Sequence, residues 1–231
     1  AMNILITSGG TSEKIDQVRS ITNHSTGQLG KMIAEHCLAE GASVTLLTTA
    51  KAVKPDPHDN LTIKIIEDTE QLLTATEGLV PAHDVLIHSM AVSDYKPVYM
   101  AGFEEVLASS DLAEFLGKST AESKISSADD YQVLFLKKNP KIISKVKEWN
   151  PNIRLIGFKL LVGVSKEELL ATARASLEKN QAELIVANDL TEIANGQHHA
   201  YLLGAESIIE AFSKEEIAKQ LLSHIQKGDS S

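Results

Sequence analysis

The residues best suited to chemistry fall in three polar segments. The first, Thr7-Ser8-Gly9-Gly10-Thr11-Ser12, follows the apolar run Asn3-Ile4-Leu5-Ile6. Paired glycines let backbone N–H groups approach a ligand closely, and the flanking hydroxyls reach phosphate oxygens, so the segment reads as a phosphate cradle or as a tight turn. It matches neither the Gly-x-Gly-x-x-Gly dinucleotide fingerprint nor the lysine-bearing P-loop. The second, residues 16–30, opens a helix whose N-terminus offers unpaired N–H groups and the positive end of the macrodipole. Ser25 and Gly27 there join Gly9 and Gly10 as candidates for phosphate contact. The competing reading has Ser25 or Thr26 merely capping the helix while Gly27 and Gly30 pack against a sheet. The third, residues 89–97, follows another apolar strand and carries Asp94. That carboxylate suits a ribose hydroxyl, an exocyclic amine or a hydrated metal, and equally an Asx turn or a pair with Lys96.

The elements that must position these segments alternate. Strands are predicted at 3–7, 43–48, 61–66, 84–88, 131–136, 154–158 and 184–187, with helices at 27–40 and 69–76 and others between the later strands. Short apolar runs without strict alternation imply a sheet covered on both faces, hence a parallel one. Open α/β sheets place ligands at the carboxyl ends of their strands, where all three segments lie. Lys137-Lys138-Asn139-Pro140, Gly157-Phe158-Lys159 and Ala187-Asn188-Asp189 occupy comparable ends, although each also reads as an ordinary strand flank or turn. Ser165 with Glu168 and Ser213 with Glu216 are spaced as capping boxes. Residues 98–123 break the alternation and are expected to form a flap or interface insertion in a single domain spanning 2–231.

Composition narrows the function classes. The 231 residues carry a net charge of −9, which disfavours nonspecific binding to nucleic acid or anionic membrane and requires a local site for any bound phosphate. A single cysteine, Cys37, excludes an internal disulfide, and its apolar helical neighbours mark it as a buried structural thiol. Without a secretory signal or a membrane-length stretch, the expected location is cytoplasmic. His198-His199 lacks metal-ligand partners at helical or hairpin spacing and reads as surface loop, with no structural zinc.

Taken in order, residues 7–11, residues 16–30, Ala91-Val92-Ser93-Asp94-Tyr95, Lys124-Ile125, Lys138-Asn139-Pro140, Gly157-Phe158 and Ala187-Asn188-Asp189 resemble the phosphopantothenate-cysteine ligase family over nearly the whole chain. The resemblance implies a Rossmann-like, open, mostly parallel α/β sheet with helices on both faces. It also implies a two-step reaction. A nucleoside triphosphate activates the carboxylate of 4'-phosphopantothenate as an acyl-nucleotide with loss of pyrophosphate, and the amine of L-cysteine then displaces the nucleotide. The catalytic asparagine falls on Asn23, with a loop brace as its ordinary alternative, and the lysine of nucleotidyl transfer falls on Lys124. Substrate or nucleotide contacts fall on Ala91, Asp94, Asn139, Pro140, Lys141, Ile142, Ile143, Phe158 and Lys179.

By the same resemblance CTP is favoured over ATP, Mg2+ rides on the triphosphate without protein side-chain ligands, and the chain forms a homodimer. The first strand begins at Asn3 without a preceding flavin-dependent domain, so a stand-alone ligase is expected, with a separate phosphopantothenoylcysteine decarboxylase acting next. Two features depart from the bacterial pattern. Ser126 and Ser127 replace lysines that many bacterial members carry, and Phe158-Lys159-Leu160 is similar to the eukaryotic branch. The rivals are an NAD(P)-dependent oxidoreductase and a noncatalytic nucleotide-binding domain. The first should end its second strand in an acidic residue, whereas Thr48-Thr49-Ala50-Lys51 stands there. The second needs no activating lysine.

Overall fold

The protein is described here by a computed structural model covering residues 2–119, 129–194 and 197–229. In chain order the strands are β1 (Asn3–Thr7), β2 (Ser12–Lys14), β3 (Ser20–Thr22), β4 (Ser43–Thr48), β5 (Leu61–Ile65), β6 (Val85–His88), β7 (Tyr95–Gly102), β8 (Gln132–Lys138), β9 (Arg154–Leu161), β10 (Leu184–Asp189), β11 (Ile193–Ala194), β12 (Gln197–His198), β13 (Ala200–Leu203) and β14 (Ile208–Ala211). The helices are α1 (Gln28–Ala39), α2 (Thr69–Leu79), α3 (Phe103–Leu107), α4 (Val146–Trp149), α5 (Lys166–Asn180) and α6 (Lys214–Asp229).

Eight strands form the central sheet in the order β14-β13-β10-β9-β6-β1-β4-β5. The six from β5 to β10 are parallel, and the β13–β14 hairpin adds antiparallel strands at one edge. The direction of chain progression reverses between β1 and β6, the switch point at which open α/β sheets form a crevice.

The side-chain period of two explains why the sheet needs cover on both faces. Ile4 and Ile6 of β1, Val85 and Ile87 of β6, and Leu184 and Val186 of β10 pack with Ile33 and Cys37 of α1 and Leu221 of α6. The intervening Leu5 and Leu86 face Leu72 of α2 and Val146 of α4, and Ile185 meets Leu169 and Leu177 of α5. Buried Ile33, Ala34, Cys37 and Leu38 fall at helical spacing along α1. Gly41, at φ 88°, ends that helix as Ala42 N–H donates to the Cys37 carbonyl at 3.1 Å. Cys37 is 1% exposed, and burial pushes its thiol up to about 12.

Ser165 caps α5 by accepting from Glu168 N–H at 3.1 Å. Ser213 caps α6 similarly from Glu216 N–H at 3.0 Å, while the Glu216 carboxylate reaches Phe212 N–H rather than that of the capping serine.

Two readings of the sequence require correction. The strand expected at 131–136 is present as β8 but is not a sheet member: it pairs antiparallel with β7 in a separate ribbon. Stacking of Tyr99 and Phe135 about buried Phe115 anchors that ribbon, a long-range pairing that strand propensity does not encode. Residues 98–119 run through the second half of β7, through α3 and through a 3-10 turn at Leu112–Gly117.

His198 and His199 are not surface loop. His198 is in β12, and the half-buried His199 bridges Glu192 at 2.5 Å and Glu210 at 3.0 Å while stacking on Phe212. Desolvation opposes the charge on His199, but the two carboxylates outweigh it and raise its pKa. Among the described residues no helix is long and apolar enough to cross a membrane.

Candidate functional site

The loops after β1 and β6 are zipped together at the switch point. Ala91 N–H donates to the Gly9 carbonyl at 2.9 Å, and Thr11 N–H donates to the Ala91 carbonyl at 3.0 Å. Gly10 lies so close to the chain at Asn23 that an added Cβ would collide with the Asn23 carbonyl oxygen. This close approach is why the second glycine of the pair admits no side chain.

Gly27, at φ 80°, precedes α1, and a Cβ there would meet the Ala52 Cβ at 3.0 Å. Thr26 Oγ1 accepts from Gln28 N–H at 3.3 Å, so the threonine rather than Ser25 takes the capping contact. Ser25 is exposed, and Gly27, Gln28, Leu29 and Gly30 line the cleft. No acidic residue stands in the first turn of α1 to compete for its positive end. Lys214, opening α6, donates to Gln28 Oε1 at 3.2 Å and so adds an ammonium beside that helix terminus.

Asn23 lies at the edge of a buried polar network. Its Nδ2 donates to Ser93 Oγ at 2.8 Å and more weakly to Thr11 Oγ1 at 3.4 Å, and its N–H donates to the Thr11 carbonyl at 3.0 Å. The amide is thus braced behind Ser93, which lines the cleft. Asn139 faces inward, its Nδ2 donating to the Ser93 carbonyl at 3.0 Å and to Glu13 Oε1 at 3.3 Å. Asp94 pairs with Lys141 at 2.6 Å and not with Lys96, and both partners are largely exposed.

These pieces surround one cleft of about 760 Å³. Of the sequence candidates, Gly9, Ser25, Gly27, Ala91, Asp94, Asn139, Pro140, Lys141, Ile142, Ile143, Phe158 and Lys179 all line it. Gly10 and Asn23 stand just behind the wall, and Lys124 lies outside the described residues. Buried Ile142 anchors its 3-10 turn in the core, and Gly157 admits the Ile143 methyl close to β9.

Lys159 and Asn188, noted in the sequence only as parts of strand-end segments, and His198, read there as surface loop, line the cleft as well, as do Lys214 and His88, which sequence reasoning passed over. Lys214 was detectable only as the residue after a capping serine, and nothing local ties it to α1.

The charge balance of the cleft opposes that of the chain. Among the described residues Lys141, Lys159, Lys179 and Lys214 line it, against the single carboxylate of Asp94. Such a concentration of ammonium groups beside a helix N-terminus suits an anion carrying several negative charges. His88, hydrogen-bonded to Thr7 Oγ1 at 2.8 Å, is pushed down to about 4 by burial and stays neutral. Asp189 is held well below the usual carboxylate range by donors from Thr191, Gly163 and Val164, and braces the end of β10 instead of facing a ligand. Among the described residues no three His, Cys, Asp or Glu side chains gather as a metal site.

The family described as DFP, DNA/pantothenate metabolism flavoprotein C-terminal domain, matches residues 1–106 and 100–228. The chain belongs to that family. It is 59% identical to the DNA/pantothenate metabolism flavoprotein from Streptococcus pneumoniae, whose crystal structure superposes with a TM-score of 0.95 over 98% of this chain and 99% of that one. The crystal structure of the C-terminal domain of a coenzyme A biosynthesis bifunctional protein, CoaBC, matches with a TM-score of 0.75 at 27% identity, covering 100% of this chain and 96% of that one. Against the full-length CoaBC of Thermococcus kodakarensis the identity is 33% over 228 residues, 97% of this chain and 51% of the relative. The chain therefore spans about half the length of the curated relatives it matches.

Proposed function

We propose that this member of the family joins 4'-phosphopantothenate to L-cysteine through an acyl-nucleotide. The observation that carries the reading is the lysine-lined cleft at the β1–β6 switch point, with a helix N-terminus on its wall and Asn23 directly behind it. A substrate with a phosphate at one end and a carboxylate at the other, together with a nucleoside triphosphate, presents the anions such a cleft accommodates.

In the first step a carboxylate oxygen attacks the α-phosphorus and pyrophosphate leaves. In the second the cysteine nitrogen attacks the acyl carbon, the nucleoside monophosphate departs with the C–O bonding pair, and the nitrogen loses a proton. Activation is needed because a carboxylate repels a nucleophile and has a poor leaving group. The chain supplies positioning and charge neutralisation.

The N–H groups at the start of α1 and the Lys214 ammonium hold the phosphate monoester. Asp94, Lys141, Phe158 and Lys179 hold the nucleotide, and Asn23 orients the acyl group. Lys124 neutralises the triphosphate, an assignment that comes from the family resemblance alone. CTP is the favoured nucleotide, ATP the alternative, and Mg2+ accompanies the triphosphate.

Leu107, Leu112, Leu116 and Tyr131, on and around the β7–β8 ribbon, are each more than half exposed, which supports a homodimer formed through that ribbon. The proposed setting is the cytoplasm, with a phosphopantothenoylcysteine decarboxylase acting on the product.

The test is pyrophosphate release from 4'-phosphopantothenate, Mg2+ and either CTP or ATP, followed by amide formation when cysteine is added. Turnover with one nucleotide is expected, and none with either would sink the ligase reading.

A further inference from the structure

Glu13 is a buried carboxylate that none of these steps uses. It lies in β2, is 3% exposed and forms no ion pair among the described residues. Desolvation and the like charge of Asp68 raise its pKa, opposed by hydrogen bonds from Thr69 and Asn139. Placing a carboxylate here without a cation is costly unless buried donors satisfy it.

Its hydrogen bonds show what it holds. Glu13 Oε1 accepts from Thr69 N–H at 3.2 Å and from Asn139 Nδ2 at 3.3 Å. The same Nδ2 donates to the Ser93 carbonyl at 3.0 Å, and Asn139 N–H donates to the Asp94 carbonyl at 2.8 Å. Ser93 N–H in turn donates to Thr11 Oγ1 at 2.9 Å, and Ser93 Oγ accepts from Asn23 at 2.8 Å. Fully buried Thr11 fixes the far side of this network. Glu13 is thus connected to Asn23 through Asn139 and Ser93, two residues at the cleft, and through no solvent-exposed side chain.

We propose that Glu13 is a positioning residue: by fixing the Asn139 amide against the Ser93 carbonyl, it holds the Ser93–Asp94 wall and the Asn23 amide in register for acyl transfer. The inference rests on the ligase reading of the cleft. The competing role is purely structural, an acceptor for the first N–H of α2, and it would cost stability without touching turnover.

Three variants separate the roles. Glu13→Ala removes the acceptor, Glu13→Asp withdraws it by one methylene while keeping the charge, and Glu13→Gln keeps an acceptor oxygen without the charge. In the pyrophosphate and amide assays, folded Glu13→Ala and Glu13→Asp are expected to lose kcat by about 10- to 100-fold, the scale of a misplacement near 1 Å. KM for 4'-phosphopantothenate stays nearly constant, and Glu13→Gln recovers most of the turnover.

Wild-type kcat in Glu13→Asp, with only a lowered melting temperature, would overturn the proposal. So would a Glu13→Gln protein as impaired as Glu13→Asp, because charge rather than geometry would then matter. If the wild-type protein is inactive in the assay, the ligase reading fails by itself. The positioning claim is then read from amide hydrogen exchange, which is expected to accelerate at Asn23 and Ser93 in Glu13→Asp and overturns the claim if unchanged.

Discussion

Replacing Gly27 with alanine separates backbone strain from damage to the cleft, because Gly41 provides a matched control. The two glycines have nearly the same backbone, φ 80° and 88°, and both flank α1, at its opposite ends. An alanine in the left-handed region costs about 1–2 kcal/mol at either position. At Gly41 nothing lies within 4 Å of the new methyl, so strain is the whole effect. At Gly27 the methyl meets Ala52 Cβ at 3.0 Å, inside the about 3.5 Å at which carbons pack, and overpacking adds about 1–3 kcal/mol.

The expected totals are about 1–2 kcal/mol for Gly41→Ala and about 2–5 kcal/mol for Gly27→Ala. At roughly 2–4 °C per kcal/mol for a chain of this size, melting falls by about 2–8 °C and about 4–20 °C. Relief of the Ala52 contact by a shift of the α1 N-terminus displaces the proposed phosphate site. Loss of one charge-assisted hydrogen bond, about 1.5–3 kcal/mol, raises KM for 4'-phosphopantothenate by roughly 10- to 100-fold. Thermal melts and steady-state kinetics on both variants provide the measurement. A Gly27→Ala protein with unchanged KM, or one no less stable than Gly41→Ala, would refute the argument.

Further outcomes follow from the cleft and its surroundings. Lys214→Gln is expected to raise KM for 4'-phosphopantothenate by about 10-fold or more, with a weaker dependence on salt than wild type, because an ammonium beside the α1 terminus is lost; an unchanged KM would remove Lys214 from the proposed phosphate site. His88 has its pKa depressed from 6.5 to about 4, so in that window the unfolded chain binds a proton that the folded chain does not. Stability contributed by neutral His88 is therefore lost as pH falls from 6.5 toward 4. Denaturant midpoints across this range should fall less steeply in His88→Gln, and identical slopes would contradict the assignment. Cys37 is expected to resist thiol alkylation at pH 8 until the protein is denatured, as followed by intact mass; rapid labelling of the native protein would show that the thiol is accessible.

Much of the fold was legible because its signals are local. Apolar runs at 3–7, 43–48 and 84–88 are bounded by turn residues, and the Ser165 and Ser213 caps involve residues three apart. The glycine turn and the polar loop opening α1 were legible for the same reason: alternating strands and helices bring the ends of β1 and β6 to one crevice whatever side chains surround it.

The partners were not legible. Gln132–Lys138 has the composition of a sheet strand, yet its edge pairs with Tyr95–Gly102 because Phe115 supplies an aromatic platform for both. Asp94 selects Lys141 over the near neighbour Lys96, and the two Glu residues that clamp His199 come from the 3-10 turn after β10 and from β14. Lys214 and Gln28 meet across 186 residues, a contact created when α1 and α6 pack side by side over the same sheet face. Sequence alone determined the repeating α/β pattern and the polar loops at its strand ends, since both depend on near neighbours. Which charges and amides converge there was decided by tertiary packing, because the groups are remote in the chain and no local propensity pairs them.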